Sequence, residues 1–142
     1  MNKIEPAYVN FEQAKKLKEK GFKELCNSVY DAHDKSVIEN HSKSNYNNWN
    51  DDKYSVVISR PEHWQVIEWL RLNHDIWIGL IADCDYKFKF EVNTWSWYEN
   101  EKCYRLGHRV LGETFWNTSS KPFDSPQEAT SAAIDYVLDK LI

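Results

Sequence analysis

The chain lacks most of the features that announce a chemistry. It has three cysteines, an odd number, at positions 26, 84 and 103, and no Cys-x-x-Cys pair. That excludes a disulfide framework and a cysteine zinc site as organising principles. The four glycines stand singly, so no glycine-rich phosphate loop is present. No apolar run reaches the roughly 20 residues that span a bilayer. The first residues, MNKIEPAYVN, hold no signal-type apolar stretch. The expectation is a reduced, soluble, cytoplasmic protein with no membrane partner. Basic excess is also missing: Asp and Glu number 22 against 18 Lys and Arg, for a net charge of −4. The nearest thing to a basic cluster is Lys15, Lys16, Lys18, Lys20 and Lys23, diluted by Glu12, Glu19 and Glu24. This reads as a solvated helix face, and it argues against duplex nucleic acid as a partner.

What the chain has is rings. Aromatic residues make up 15% of the 142 residues, with seven Trp and eight Tyr against one Met. The length fits one domain, residues 1–142, with a core of its own. Asn10 and Gln13 have the spacing of a capping box that opens a short helix. Phe11, Ala14 and Leu17 form its apolar stripe, and Lys20-Gly21-Phe22 closes it. Residues 27–53 are polar, rich in Asn, Ser and Asp, with apolar islands at Val29-Tyr30 and Val37-Ile38 that suit a hairpin over AHDKS. Such a segment is either functional or mobile.

The centre of the chain is Ser59 to Ala82. Ser59 and Glu62 have capping-box spacing with Pro61 in the first turn, which predicts a helix ending near Asn73-His74. His63, Val66, Ile67 and Leu70 supply its inner stripe. The run IWIGLI that follows is apolar on both parities. Its length and β-branched content predict a strand that is central or covered on both faces. Gly79 within it predicts a bulge, or a neighbouring aromatic packed close. Tyr86, Phe88, Phe90 and Val92 alternate with polar residues and give the clearest strand signal. Gly112–Trp116 reads as another strand. Ser125-Pro126-Gln127-Glu128 opens a last helix, whose stripe includes Ala129, Ala132, Ala133, Tyr136, Val137 and Leu141. The fold class is α+β: a small antiparallel sheet with helices packed on one face, in a single two-layer domain.

Three pieces of the chain carry a resemblance. They are Asn10-Phe11-Glu12-Gln13-Ala14 with Leu17, Gly21 and Phe22; Ser59-Arg60-Pro61 with Gln65 to Arg71 and His74; and Ser125 to Ala129 with Ala132, Ala133 and Leu138. Together, about a third of the chain, they resemble a family of small phage- and prophage-associated proteins of unknown function. In that family a capped helix with a Trp-Leu-Arg core is followed by a hairpin and a closing helix. Arg60 stands where a small residue is expected, and residues 27–53 match nothing in the pattern. The resemblance implies a fold and no activity, cofactor or site residue.

No catalytic, cofactor or metal set stands out. His33 and His41, with Asp34 and Glu39, have the residue types of a loop metal site, but a metal needs three or four ligands converging from rigid elements. Solvated loop residues explain them better. His63 and His74, with Glu62, Asp75, Asp83 and Asp85, are the residues from which a small enzyme would build an acid–base site. A helix C-terminus alone accounts for His74, and Asp83 and Asp85 read as a hairpin turn. Cys84, in that turn, is the thiol to test for reactivity.

The leading functional expectation is therefore a non-enzymatic, phage-type accessory or interaction protein, whose partner is another protein or a second copy. Trp95, Trp97 and Trp116 are the contact candidates. A regular strand from Tyr86 puts Trp95 and Trp97 on the outer face with Lys87, Lys89 and Glu91. A bulge near Asn93 sends both into the core, the usual place for tryptophan in a single domain. Exposed, the pair also suits stacking on a single-stranded nucleic acid, a reading that the acidic balance disfavours.

Overall fold

Each end of the first helix is closed by its own residues. In the computed structural model, α1 spans Phe11–Glu19. The Asn10 side chain accepts from the Gln13 amide at 2.9 Å, and the Gln13 side chain accepts from the Asn10 amide at 3.1 Å. Gly21, at φ 86, takes the left-handed turn. The Phe22 and Gly21 amides then bond back to Leu17 and Lys18, a complete Schellman closure. Phe22 is fully buried, as are Ala14 and Leu17. The structure describes residues 5–39, 47–51, 53–82, 85–98, 101–106, 116–118 and 122–142, and the side chains of 96–98, 103–106 and 116–118 lie outside that description.

The chain divides into two compact units, Met1–Val66 and Ile67–Ile142. The class is α+β, with antiparallel strands, as expected; the strands are shared between two sheets, one in each unit.

The first unit holds β1 (Ser28–Asp31), β2 (Val37–Glu39) and β3 (Val57–Ser59) in the order β2-β1-β3. β1 and β2 form the hairpin over residues 32–36. The Asp31 carboxylate accepts from the amides of His33 and Asp34, and Lys35 takes a positive φ of 63. The polar segment at 27–53 is thus structured over its first part. It is anchored again later. Trp49 donates its indole N–H to the Cys26 carbonyl at 2.9 Å. The buried Asn50 side chain bonds both the Phe22 carbonyl and the Ser59 amide. Asn and Trp here satisfy buried backbone groups that would otherwise be costly to bury.

Ser59 is not a helix cap. It ends β3, opposite Val29, and is fully buried. α2 starts later and spans His63–His74. The Gln65 side chain accepts from the Glu62 amide at 3.0 Å, so the capping signal sits three residues further on. The β-branched Val57-Ile58 pair draws Ser59 into the sheet, and local capping spacing loses to tertiary pairing. Within α2, His63, Val66, Trp69 and Leu70 are buried, while Trp64 is exposed.

The second unit holds the rest of α2, β4 (Ile76–Ala82), β5 (Phe88–Tyr98), β6 (Cys103–Leu106), β7 (Trp116–Thr118) and α3 (Pro126–Lys140). β5 is central: it pairs with β4 along one side and with β6 and β7 along the other. α3 packs against β5 and β4. Ala129, Ala133, Ile134, Val137 and Leu138 are buried on its inner face, and the ring of Tyr136 lies 6.1 Å from that of Phe90. Ser125 caps α3, accepting from the Glu128 amide at 3.2 Å.

Two expectations about the central strand fail. β4 is an edge strand among the described strands, with Trp77, Leu80 and Ile81 all exposed. It also has no bulge. Gly79 pairs in register with Glu91, and a Cβ there would meet the Glu91 side chain at 3.8 Å. The strand reads as central because it carries none of the charges or prolines that usually blunt an edge.

Candidate functional site

The register of β4 and β5 decides which face each residue takes. Pairing is unbroken from Ile76–Thr94 to Ala82–Phe88. Phe90 and Val92 are buried on the α3 side. Alternation then sends Trp77, Glu91, Asn93 and Trp95 to the opposite face. The bulge near Asn93 that would bury Trp95 is absent: Asn93 pairs with Trp77 on one side and Trp116 on the other.

On that outer face, Trp77 and Trp95 meet edge to face, with ring centroids 6.3 Å apart and planes at 63°. Trp77 stays 45% exposed, and Trp95 is half-buried. The two rings form part of the wall of a groove of about 450 Å³, lined also by Arg71, Leu72 and Asp75. Leu72 is 64% exposed.

The end of α2 shapes this groove. His74 packs its ring against Trp69 at 4.7 Å, and the helix stops there. Asp75 takes a left-handed φ of 54 and turns the chain into β4. Its carbonyl accepts from the Trp95 amide at 2.9 Å, fixing the mouth of the groove to β5. Asp is one of the few non-glycine residues that hold this conformation at modest cost.

Arg71 is already engaged. Its Nε donates to Glu68 at 2.9 Å, with a second bond from the guanidinium to the same carboxylate. The pair holds the Glu68 carboxyl below its ordinary range and the Arg71 guanidinium above its own. The guanidinium also lies 5.2 Å from the centre of the Trp77 ring. An exposed pair of this kind adds little stability; it positions. Asp75 is exposed and makes no ion pair among the described residues.

Beneath the rings, Asn93 is buried. Its Nδ2 donates to Glu91 at 2.6 Å, while Oδ1 has no partner among the described residues.

Of the contact residues expected from sequence, Trp95 is placed at the groove. Trp97 pairs with Tyr104 and Trp116 with Asn93 in the backbone register, but their side chains lie outside the described residues. The sequence reading missed Trp77, Arg71 and Leu72 as groove residues and named Asp75 only as a carboxylate beside His74. Once Ile76–Ala82 is paired with Phe88–Thr94, parity alone puts Trp77 beside Trp95. Reading that run as covered on both faces hid the signal.

The two histidines of the enzyme reading do not come together. His63 and His74 stand at opposite ends of α2. His63 is buried, and burial holds it below its ordinary pKa of 6.5 against a favourable bond to the Tyr8 backbone. Asp85 is exposed, and Asp83 and Cys84 lie outside the described residues. Of the metal reading, His33 is exposed and Asp34 serves the hairpin turn, accepting from the Ser36 amide at 2.8 Å, while His41 lies outside the described residues. Among the described residues no group of three or more His, Cys, Asp or Glu could hold a metal ion. Among them, too, no helix is long and apolar enough to cross a membrane.

Comparison of the chain with protein-family models, with curated proteins and with solved structures finds no match.

Proposed function

We propose that this is a protein-interaction protein, and that it acts through the outer face and open edge of the second sheet rather than through catalysis. One observation carries the reading. Trp77 and Trp95 flank an open groove beside β4, an edge strand among the described strands, on which Ile81 is also exposed on the same face. A strand edge with no partner among the described strands offers a row of amide and carbonyl groups to an added strand. Adjacent tryptophans supply the apolar anchor that binding hot spots use. Their clustering supports a surface with a use, because isolated exposed apolar residues are ordinary and contiguous ones are not. A phage-type accessory role is compatible with this reading and adds no chemistry to it.

Stacking on a single-stranded nucleic acid fits less well. That mode needs free cations along the groove. Here Arg71 is bound to Glu68, and the other charged lining residue is an aspartate.

Panning a library of extended peptides on the full-length protein tests the proposal. The expected outcome is a set of peptides whose binding perturbs the Trp77 and Trp95 indole N–H signals and is lost in Trp77→Ser. Peptides that bind equally well to the variant, or failure to select any, would remove the reading.

A further inference from the structure

We infer that the notch between Trp77 and Trp95 receives a cationic side chain, lysine or arginine, from an extended partner segment laid along β4, with Asp75 as the counter-charge. This rests on the interaction reading above and names the chemistry of its partner.

The argument is one of charge complementarity. The described lining is two indole rings, one leucine, one arginine and one aspartate. The arginine's charge is matched by Glu68. The aspartate's is matched by nothing among the described residues. The groove therefore offers aromatic faces and one uncompensated negative charge, the combination that holds ammonium and guanidinium groups. The protein already displays the affinity: the Arg71 guanidinium lies over the Trp77 ring. An anionic group would meet the Asp75 carboxylate and would have to compete with Glu68 for Arg71. A purely apolar group would cover Asp75 without pairing it, which is costly. The end of β4 nearest the notch is Ile76, next to Asp75, so a strand added to this edge brings its own residues to the rings.

The probes are three blocked eight-residue peptides of alternating valine and threonine. One carries a central lysine, one its neutral isostere norleucine, and one glutamate. Each is titrated into the full-length protein and followed by calorimetry and by the indole N–H signals. The lysine peptide should bind about tenfold tighter than the norleucine peptide, with shifts at Trp77 and Trp95. Asp75→Asn should shrink that preference to about threefold or less, weakening the lysine peptide and, by removing the unpaired charge, tightening the norleucine peptide. Asparagine tolerates the left-handed backbone at position 75, so the turn is preserved.

Equal binding of the lysine and norleucine peptides would overturn the cation notch while leaving strand addition standing. So would tighter binding of the glutamate peptide. Absence of binding by all three, or shifts confined to other residues, would remove the notch and the interaction reading together. Tighter, salt-sensitive binding of oligothymidylate at the same indoles would replace both with a nucleic-acid groove.

Discussion

Trp77 and Trp95 touch without being register partners. Trp77 is paired with Asn93 and Trp95 with Leu106, so the rings meet on the diagonal across β4 and β5, their centroids 6.3 Å apart. Diagonal neighbours on a sheet are within reach of aromatic side chains. The contact joins two rings on the face that also carries the buried Asn93, and Trp77 stays 45% exposed. A buried ring pair would hold the fold together; this one is half in solvent.

The first prediction follows from that difference. Trp77→Ser removes a ring that is 45% exposed. Full burial of a large apolar side chain is worth roughly 1.5–3 kcal/mol, so the loss here should be about 1 kcal/mol. Trp69→Ala, at a position only 5% exposed, should cost about 3–5 kcal/mol. Denaturant titration of the two variants separates the cases. Equal losses would mean that Trp77 is a core residue.

Caps give a second. Asn10 and Ser125 each accept an amide three residues on, at 2.9 and 3.2 Å. Replacement of either by Ala should cost about 1 kcal/mol. In Asn10→Ala the loss should be the larger of the two, because the reciprocal bond that the Gln13 side chain accepts from the amide of residue 10 loses its geometry as well. An unchanged unfolding midpoint would show that the bond has no value.

Both caps are written in residue spacing, and so is the alternation of Phe88, Phe90 and Val92. That is why these were legible in the sequence: each depends on neighbours three or four residues apart, or on strict alternation. Past Asn93 the spacing leaves a regular strand and a bulge both open, and only the pairing with β4 and β7 decides between them. Ser59 shows where local spacing stops being enough. Its capping-box pattern with Glu62 is complete, yet the residue pairs with Val29, 30 positions earlier. A choice between cap and strand there depends on a partner that no local window contains. β4 fails for a related reason. Whether an apolar strand is central or at an edge is a property of the sheet order, and IWIGLIA carries no charge to declare its place. The groove was partly legible: Trp95 was a contact candidate only on condition of a regular strand, Trp77 emerges only after pairing, and Asp75 only once a positive φ put it at the mouth.

Gly79 offers a third test. It sits mid-strand in regular pairing, and a Cβ would make ordinary contact with Glu91, at 3.8 Å from Oε1 and 3.9 Å from Cγ. Glycine inside a strand costs roughly 0.5–1 kcal/mol relative to alanine. Gly79→Ala should therefore raise stability by about 0.5 kcal/mol. A destabilised variant would point to a close approach that this geometry does not contain.

Cys26 should be inert in the folded protein. It is buried, and burial pushes its thiol up to about 12. The thiolate is the reactive form. Alkylation at pH 8 followed by intact mass should leave Cys26 unmodified until denaturant is added. Rapid native labelling at that position, located by peptide mapping, would contradict the burial.

The last prediction concerns acid. His63 is 8% exposed, its Nε2 is buried without a partner among the described residues, and burial is the main cause of its lowered pKa. In the unfolded chain a histidine takes up its proton near its ordinary value of 6.5. In the folded chain it does so only at lower pH. Between those two values the unfolded state binds the extra proton, so stability falls as the pH drops below about 6.5. Above about pH 7 both states are neutral and the effect is absent. Below the folded pKa both are charged and the loss stops growing. Each unit of separation is worth about 1.4 kcal/mol. Asp34, Glu68 and Asp124 have lowered pKa values, through bonds to Ser36, Arg71 and Lys87. Their effect lies in a separate window, setting in only as the pH falls towards the ordinary carboxylate values of 3.8 for Asp and 4.5 for Glu. Unfolding midpoints measured from pH 7.5 to 5.5 should therefore decline in the native protein. His63→Gln should lower the neutral-pH stability but flatten that decline. A variant with the same slope as the native protein would show that another group carries the acid sensitivity.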